Sequence, residues 1–279
     1  MATQRPSISA FFPAYNDGGT IGSLVVTTLQ TLAELTDDYE VLVVENGSTD
    51  YTVEVLEGLA GQYDHFRYLA HREALGYGGA LRVGFRECKK DLIFYTDGDA
   101  QYDPRELKLL VPAMTDGVDV VNGWKIERHD PLHRIVIGRM YHHFVKLIFG
   151  FKLRDVDCDF RLLRREVFDV IDLESPDGTI CLELVKKLQD AGFRFAEVPV
   201  HHYHRTYGKS SASTSAGSAA CCRTWPACGG SSLSGASTCR GSRRAARRAR
   251  QGGKPTRRQG VLSASMAPDL PVYELRQND

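Results

Sequence analysis

Leu92-Ile93-Phe94-Tyr95-Thr96-Asp97-Gly98-Asp99-Ala100-Gln101 is an apolar run that ends on two carboxylates one residue apart. The run reads as a buried strand, and a strand in an open α/β sheet delivers its last side chains to the crevice at its carboxyl end, where such sheets bind ligands. Two acids this close raise each other's pKa unless a cation neutralises them. Magnesium or manganese suits the task, because it takes one or two protein carboxylates and fills its shell with water and phosphate oxygens. Asp97 and Asp99 therefore point to a diphosphate held through a divalent metal. Asp-Gly-Asp is also a common solvated turn, so the flanking sequence must decide between the two.

Upstream of this run, strand and helix patterns alternate. Ser7 to Phe12 is a short apolar strand, and the turn Pro13-Ala14-Tyr15-Asn16-Asp17-Gly18-Gly19 follows it. Thr20 is placed to cap a helix in which Ile21, Leu24, Val25, Thr28, Leu29 and Leu32 recur at helical spacing. Tyr39 to Val44 is a second strand, and Glu45-Asn46-Gly47-Ser48-Thr49-Asp50 leads into a helix through about Leu59. Phe66 to Ala70 is a third strand, Gly76-Tyr77-Gly78-Gly79 opens the next helix, and the strand ending at Asp97 is the fourth. This order predicts an α/β fold with a mostly parallel central sheet and helices on both faces.

Downstream, Val118 to Asn122 reads as another strand and Leu132 to Phe149 as a helix. Its apolar face, interspersed with Arg134, Arg139 and Lys146, suits either a core or a membrane interface. The acidic stretch Asp157-Cys158-Asp159-Phe160-Arg161 follows, then a helix near Cys181 to Ala191 and a strand near Phe193 to Val200.

The zero formal charge of the 279-residue chain hides two unlike parts. Residues 1–210 hold 24 Lys/Arg against 32 Asp/Glu, whereas residues 211–279 hold 11 against 3. We expect one catalytic domain over residues 1–210. Residues 211–279 form a low-complexity basic tail rich in Ser, Ala, Gly, Cys and Arg, expected to be disordered because it cannot bury a core. The change is abrupt, and four of the seven cysteines fall in the tail, so we read it as the out-of-frame translation of a GC-rich gene. The competing reading is a disordered arm for nucleic acid or anionic lipid. Odd cysteine number, irregular spacing and no secretory leader predict a reducing, cytoplasmic setting without a disulfide framework or zinc site. No stretch is apolar for the roughly 18–20 residues a membrane span needs, so membrane contact is expected to be peripheral, at the inner face.

Four motifs in this order, Pro13-Ala14-Tyr15-Asn16-Asp17, Glu45-Asn46-Gly47-Ser48-Thr49-Asp50, Gly76-Tyr77-Gly78-Gly79-Ala80-Leu81-Arg82 and Thr96-Asp97-Gly98-Asp99-Ala100-Gln101, resemble the family 2 glycosyltransferases. Within that family the likeness is to the polyprenyl-phosphate (dolichyl-phosphate) mannosyltransferase branch, over about Ser7 to Ser210. The resemblance implies a GT-A fold, a nucleotide-diphosphate sugar donor such as GDP-mannose or UDP-glucose, magnesium or manganese, and inversion of the anomeric carbon in one displacement.

The same resemblance places Pro13, Tyr15 and Asp17 around the nucleoside and Glu45 and Asn46 in the nucleotide-sugar site, with a nucleobase-edge contact through Asn46; the glycines from Gly76 either let the backbone approach the donor closely or serve tight helix packing. It implies that Asp97, Asp99 and Gln101 hold the metal and the nucleotide phosphates. Arg128 and Arg134 match the arginines that face the acceptor phosphate and the donor diphosphate; guanidinium groups suit both, since they pair two-pronged with phosphate oxygens. Asp157 and Asp159 match the acidic segment beside the sugar. Arg205, Lys209 and Ser210 match a loop that closes over the donor and excludes water. Two departures stand out: Asp17 where the family usually has Glu, and Glu45 at the first position of the second turn, where it usually has Asp.

The function these residues imply is transfer of mannose or glucose to a polyprenyl phosphate, with Asp99, Arg128, Asp157 and Asp159 as the catalytic candidates. An ionised phosphate acceptor needs little general-base help, so catalysis would rest on positioning and charge stabilisation. The alternatives are the same donor chemistry on a sugar or protein hydroxyl, which requires Asp157 or Asp159 as a base, and a non-catalytic protein that binds through its basic tail. A dinucleotide-dependent oxidoreductase does not fit, because the first turn lacks G-x-G-x-x-G. Nucleic acid is not the expected partner.

Overall fold

The computed structural model describes residues 5–126, 150 and 152–208. Arg128, Arg134, the expected helix over 132–149, Lys209, Ser210 and the basic tail all lie outside the described residues.

The strands are β1 (Ile8–Ala14), β2 (Tyr39–Asn46), β3 (Phe66–His71), β4 (Leu92–Tyr95), β5 (Val120–Lys125), β6 (Arg161–Arg164) and β7 (Phe195–Val200). The helices are α1 (Ile21–Leu35), α2 (Thr52–Ala60), α3 (Gly76–Glu87), α4 (Leu107–Ala113) and α5 (Ile180–Asp190), with short 3-10 turns at Pro104–Glu106 and Arg165–Asp169. The described strands form one sheet in the order β3-β2-β1-β4-β6-β5-β7. All neighbours are parallel except β6, which runs antiparallel to both β4 and β5.

Period-2 alternation sorts the strand residues onto two faces. Ile8, Ala10, Phe12, Val41, Val43, Leu92 and Phe94 pack against α1, α2 and α4, through Ile21, Leu24, Leu56, Leu107 and Leu110. Phe11, Leu42, Val44, Ile93 and Tyr95 pack on the other face against α3 and α5, through Leu81, Phe85, Ile180 and Leu184. Burial on both faces explains why the central strands are almost continuously apolar.

The predicted order of elements holds from β1 to β4, with ends shifted by at most two residues. Strand β4 stops at Tyr95, so Asp97 and Asp99 stand on the loop beyond it and not on its last rungs. Strand β6 and helix α4 had no counterpart in the sequence reading. Strand β6 consists of Leu162-Leu163 bracketed by two arginines. Four residues of that composition carry no alternation, and only the partners supplied by β4 and β5 make them a strand.

The chain runs from β1 outward to β2 and β3, then returns to place β4 on the other side of β1. That reversal makes the β1–β4 junction a topological switch point, where a crevice opens at the strand ends. Register sharpens the opening: β1 pairs with β4 only through Phe11↔Tyr95, but with β2 as far as Ala14↔Glu45. Pro13, which has no N–H to donate, occupies the stretch where β1 has lost β4.

Candidate active site

Three loops meet at this opening. In the first, Asn16 takes a left-handed conformation (φ +57°). Its Oδ1 accepts from the backbone N–H of Thr49 at 2.8 Å and of Asp50 at 3.2 Å, in the second loop. In return, the Gly18 N–H donates to Asp50 Oδ2 at 3.1 Å and the Asp17 N–H to Thr52 Oγ1 at 3.1 Å. The Asp17 carboxylate accepts from the Tyr15 N–H at 3.0 Å. The helix α1 starts where the sequence predicts, but Thr20 makes no side-chain cap bond. Its hydroxyl instead reaches the carbonyls of Asp17 and Gly98, each at 3.1 Å, and ties the first loop to the third.

The third loop carries the acidic pair. Asp97 Oδ1 accepts from the Tyr77 hydroxyl at 2.7 Å. Asp99 Oδ1 accepts from the Gln101 N–H at 3.1 Å, a turn in which a side chain mimics the backbone. Gly98 passes so close to the first loop that a Cβ on it would lie 2.7 Å from the Pro13 carbonyl oxygen, which accounts for glycine between the acids. Gln101 faces elsewhere than expected. Its side-chain amide donates to the Tyr203 carbonyl at 2.9 Å, and the Tyr203 N–H donates to the Gln101 carbonyl at 2.8 Å.

A second acidic segment comes in from β6. The Tyr95 hydroxyl donates to Asp159 Oδ1 at 3.2 Å, and Arg161 Nη1 stands 3.4 Å from the same oxygen. The Arg161 side chain is wholly buried. It donates to Asn122 Oδ1 at 2.6 Å, to the Val156 carbonyl at 2.5 Å and to the Tyr95 hydroxyl. Asp157 turns toward Lys125, whose Nζ donates to the Asp157 carbonyl at 2.9 Å.

The segment after β7 crosses back over the opening. Arg205 Nη2 stands 3.4 Å from Asp99 Oδ2 and 3.5 Å from Asp17 Oδ1, while its Nε is buried without an acceptor. Tyr207 follows, with its hydroxyl 3.4 Å from Asp50 Oδ2.

The electrostatics match this crowding. Burial pushes the Asp97 carboxyl well above the carboxylate range, and the nearby Asp159, Asp99 and Asp17 carboxylates push it further. Burial also raises Asp99, against the hydrogen bond from Gln101 and the charge of Arg205. Asp17 is pushed up to about 6, chiefly by burial, with the Tyr15 hydrogen bond and Arg205 opposing. Asp157 is raised by burial while Lys125 opposes. Among the described residues no three His, Cys, Asp or Glu side chains gather as a metal cage. Two hard carboxylates with raised proton affinity are nonetheless a donor set that fits magnesium or manganese, which take few protein ligands and leave positions for phosphate oxygens and water.

Of the residues singled out in the sequence, Asp17, Asp97, Asp99, Asp159 and Arg205 meet at the opening. Tyr15, half exposed, belongs to the first loop, and the buried Pro13 to the end of β1 that leads into it. Glu45 and Asn46 serve the second loop as well as lining it: Glu45 Oε1 accepts from the Ser48 N–H and Asn46 Oδ1 from the Leu75 N–H. Gly76 (φ +75°) has a packing reason to be glycine, since a Cβ would lie 2.6 Å from the Pro176 carbonyl oxygen. The sequence reading assigned no role to Tyr77, Tyr95, Lys125 or Arg161. The only trace of Arg161 there was a cation directly following Asp159 and Phe160.

The family model described as Glycosyl transferase family 2 matches residues 9–172. The chain belongs to glycosyl transferase family 2. Within this family it is 36% identical over 202 residues to Glycosyltransferase AglD of Haloferax volcanii, an alignment covering 69% of this chain and 32% of that protein. It is 28% identical over 204 residues to the undecaprenyl-phosphate 4-deoxy-4-formamido-L-arabinose transferase of Yersinia pestis, covering 73% and 62%. The chain thus spans about a third of the first relative's length and about three-fifths of the second's. The GT-A fold is shared with glucosyl-3-phosphoglycerate synthase of Mycobacterium tuberculosis, crystallised with Mn2+, UDP and phosphoglyceric acid (TM-score 0.61, 19% identity, 79% of this chain and 77% of that one). No helix among the described residues of this family 2 chain is long and apolar enough to cross a membrane.

Proposed function

We propose that the chain is an inverting glycosyltransferase that moves mannose or glucose from a nucleotide-diphosphate donor to a polyprenyl phosphate, with magnesium or manganese on Asp97 and Asp99. The observation that carries this reading is the gathering of Asp17, Asp97, Asp99 and Asp159 at the switch point of the sheet, with Arg205 reaching in from the far end of the domain. So much negative charge in a partly buried crevice is tolerable if the natural occupant brings a cation. The named acceptor of the Yersinia relative, undecaprenyl phosphate, supports a lipid phosphate here, and the Mn2+ and UDP bound by the mycobacterial enzyme support the donor and metal.

The residues take these roles. The exposed ring of Tyr15 stacks on the base, and Pro13 at the end of β1 and Asp17 on the first loop border the ribose. Glu45 and Asn46 border the base edge, and Gly76 lies on the wall beside them. Arg205 Nε, a buried donor without an acceptor, meets a diphosphate oxygen, and Lys209 and Ser210 continue the closing segment. Arg128 and Arg134 serve the departing diphosphate and the incoming lipid phosphate. Asp159 and Asp157 orient the sugar and the nucleophile. Gln101 contributes by anchoring Tyr203, and thereby Arg205, above the acidic pair. A divalent ion held by Asp97 and Asp99 would supply positive charge to the diphosphate leaving group. The acceptor is ionised near neutral pH, so positioning and charge stabilisation supply most of the rate. Such an enzyme works at the cytoplasmic face of the membrane, in peripheral contact with it.

A donor panel tests this. Radiolabelled GDP-mannose, UDP-glucose and UDP-GlcNAc are each offered with undecaprenyl phosphate and Mn2+. Label entering the organic phase from GDP-mannose or UDP-glucose is expected. Label confined to water-soluble glycoside would shift the acceptor to a hydroxyl, and no transfer from any donor would overturn the reading.

A further inference from the structure

We propose that Arg161 and Tyr95 are positioning residues that lock the Asp159 carboxylate, and not that of Asp157, in place beside the acidic pair; the reading deepens the proposed transferase site and rests on it. Register puts Tyr95, Arg161 and Asn122 side by side on three neighbouring strands, since Arg161 pairs with Tyr95 across β4–β6 and with Asn122 across β5–β6. The guanidinium, wholly buried in that row, has each nitrogen assigned: Nε to Asn122 Oδ1, Nη2 to the Val156 carbonyl, Nη1 to the Tyr95 hydroxyl. Because the Tyr95 oxygen accepts from Arg161, its own proton points away, and it is donated to Asp159 Oδ1 at 3.2 Å. Arg161 Nη1 is 3.4 Å from that same oxygen. One carboxylate oxygen is thus held from behind by two groups rooted in the sheet, which orients the other.

Asn122 completes the frame. Its Nδ2 donates to the Asp155 carbonyl at 2.9 Å, so the Arg161–Asn122 pair also holds the turn on which the acidic segment bends. Asp159 is the member of that segment whose charge is felt at Asp97 and Asp99, whereas Asp157 is chiefly under the influence of Lys125 and Asp155. A rigid buried array of this kind fixes a reacting group to within the fraction of an ångström on which rates depend.

The test uses Tyr95→Phe, which removes one hydroxyl, and Arg161→Lys, in the full chain. Crystal structures of wild type and Tyr95→Phe are expected to show the Asp159 carboxylate rotated or split between rotamers in the variant, with Asp97 unmoved. Kinetics are followed with undecaprenyl phosphate, Mn2+ and whichever of GDP-mannose or UDP-glucose supports transfer. The kcat of Tyr95→Phe should fall roughly 10- to 100-fold with the donor KM little changed. Combining it with Asp159→Asn should cost no more than Asp159→Asn alone. Phe85→Leu, which trims a ring packed edge-on against Tyr95 at 5.2 Å without touching these hydrogen bonds, should lower Tm but spare kcat. An Asp159 side chain unmoved in both Tyr95→Phe and Arg161→Lys overturns the proposal. So do kcat losses that multiply in the double variant. Absence of transfer in the wild type would count against the proposed reaction, while the crystallographic comparison would still decide the positioning.

Discussion

Arg205 Nη2 lies 3.4 Å from Asp99 Oδ2. A residue from the last described segment thus neutralises an acid on the loop after β4, at the spot where the proposed divalent cation would sit. The two cations compete for the same carboxylate. Arg205→Ala should therefore bind Mn2+ alone more tightly, by about fivefold, the equivalent of an ion pair worth ~1 kcal/mol. It should bind Mn2+ with UDP or GDP less well, because the diphosphate loses a donor. Calorimetric titration with and without nucleotide checks both halves, and weaker binding of Mn2+ alone would refute the competition.

Asp99→Ala should abolish metal-dependent turnover without unfolding the protein. The wild-type carboxylate is buried among like charges, so its removal relieves repulsion, and thermal unfolding at pH 7 should occur at the same or a higher temperature. An inactive variant of unimpaired Tm separates function from folding. Full activity in this variant would discard the metal assignment.

Asp17 makes stability fall with rising pH. Its folded pKa, about 6, lies above the ordinary 3.8, so the native state holds the proton more tightly. That contribution is fully present below pH 3.8 and lost as the pH climbs through 6, a difference on the order of 2–3 kcal/mol. Asp97 and Asp99 act in the same direction. Asp17→Asn should consequently flatten the dependence of Tm on pH between 4 and 7, measured by calorimetry, and an unchanged slope would contradict the burial of this carboxyl.

Gly78→Ala tests the packing of α3. A Cβ there would lie 2.1 Å from the Ser175 carbonyl oxygen and 2.7 Å from the Pro176 carbonyl carbon, both backbone. Neither can swing aside, so the substitution should cost about 2–3 kcal/mol by chemical denaturation. The Tyr77 hydroxyl would shift with the helix, and with it the hydrogen bond to Asp97.

Much of this was legible in the chain. Alternation of apolar runs with helical spacing located β1 to β4 and α1 to α3, because those elements bury continuous faces. The carboxylates at 97 and 99 could be singled out because a strand pattern ran straight into them. Tyr77, Tyr95 and Arg161 could not. Each looks like an ordinary helix or strand residue until a partner remote in sequence gives its polar atom somewhere to go. Thr20 illustrates the converse: its position suggested a helix cap, yet its hydroxyl found better acceptors on the loop after β4.

The sequence by itself determined the order of elements from β1 to β4, the acidic pair just beyond a strand end and the family. Periodicity and local turn chemistry are written within a few residues of each other, and neither depends on what lies across the sheet. Only the tertiary structure decided that β6 inserts antiparallel beside β4, that Arg161 lies buried under Asp159, and that Arg205 closes on Asp99. Strand β6 and β4, Arg161 and its partners Tyr95 and Asn122, and Arg205 and Asp99 are far apart in the chain, and a buried charge or hydroxyl is tolerated only where the completed fold brings it a partner.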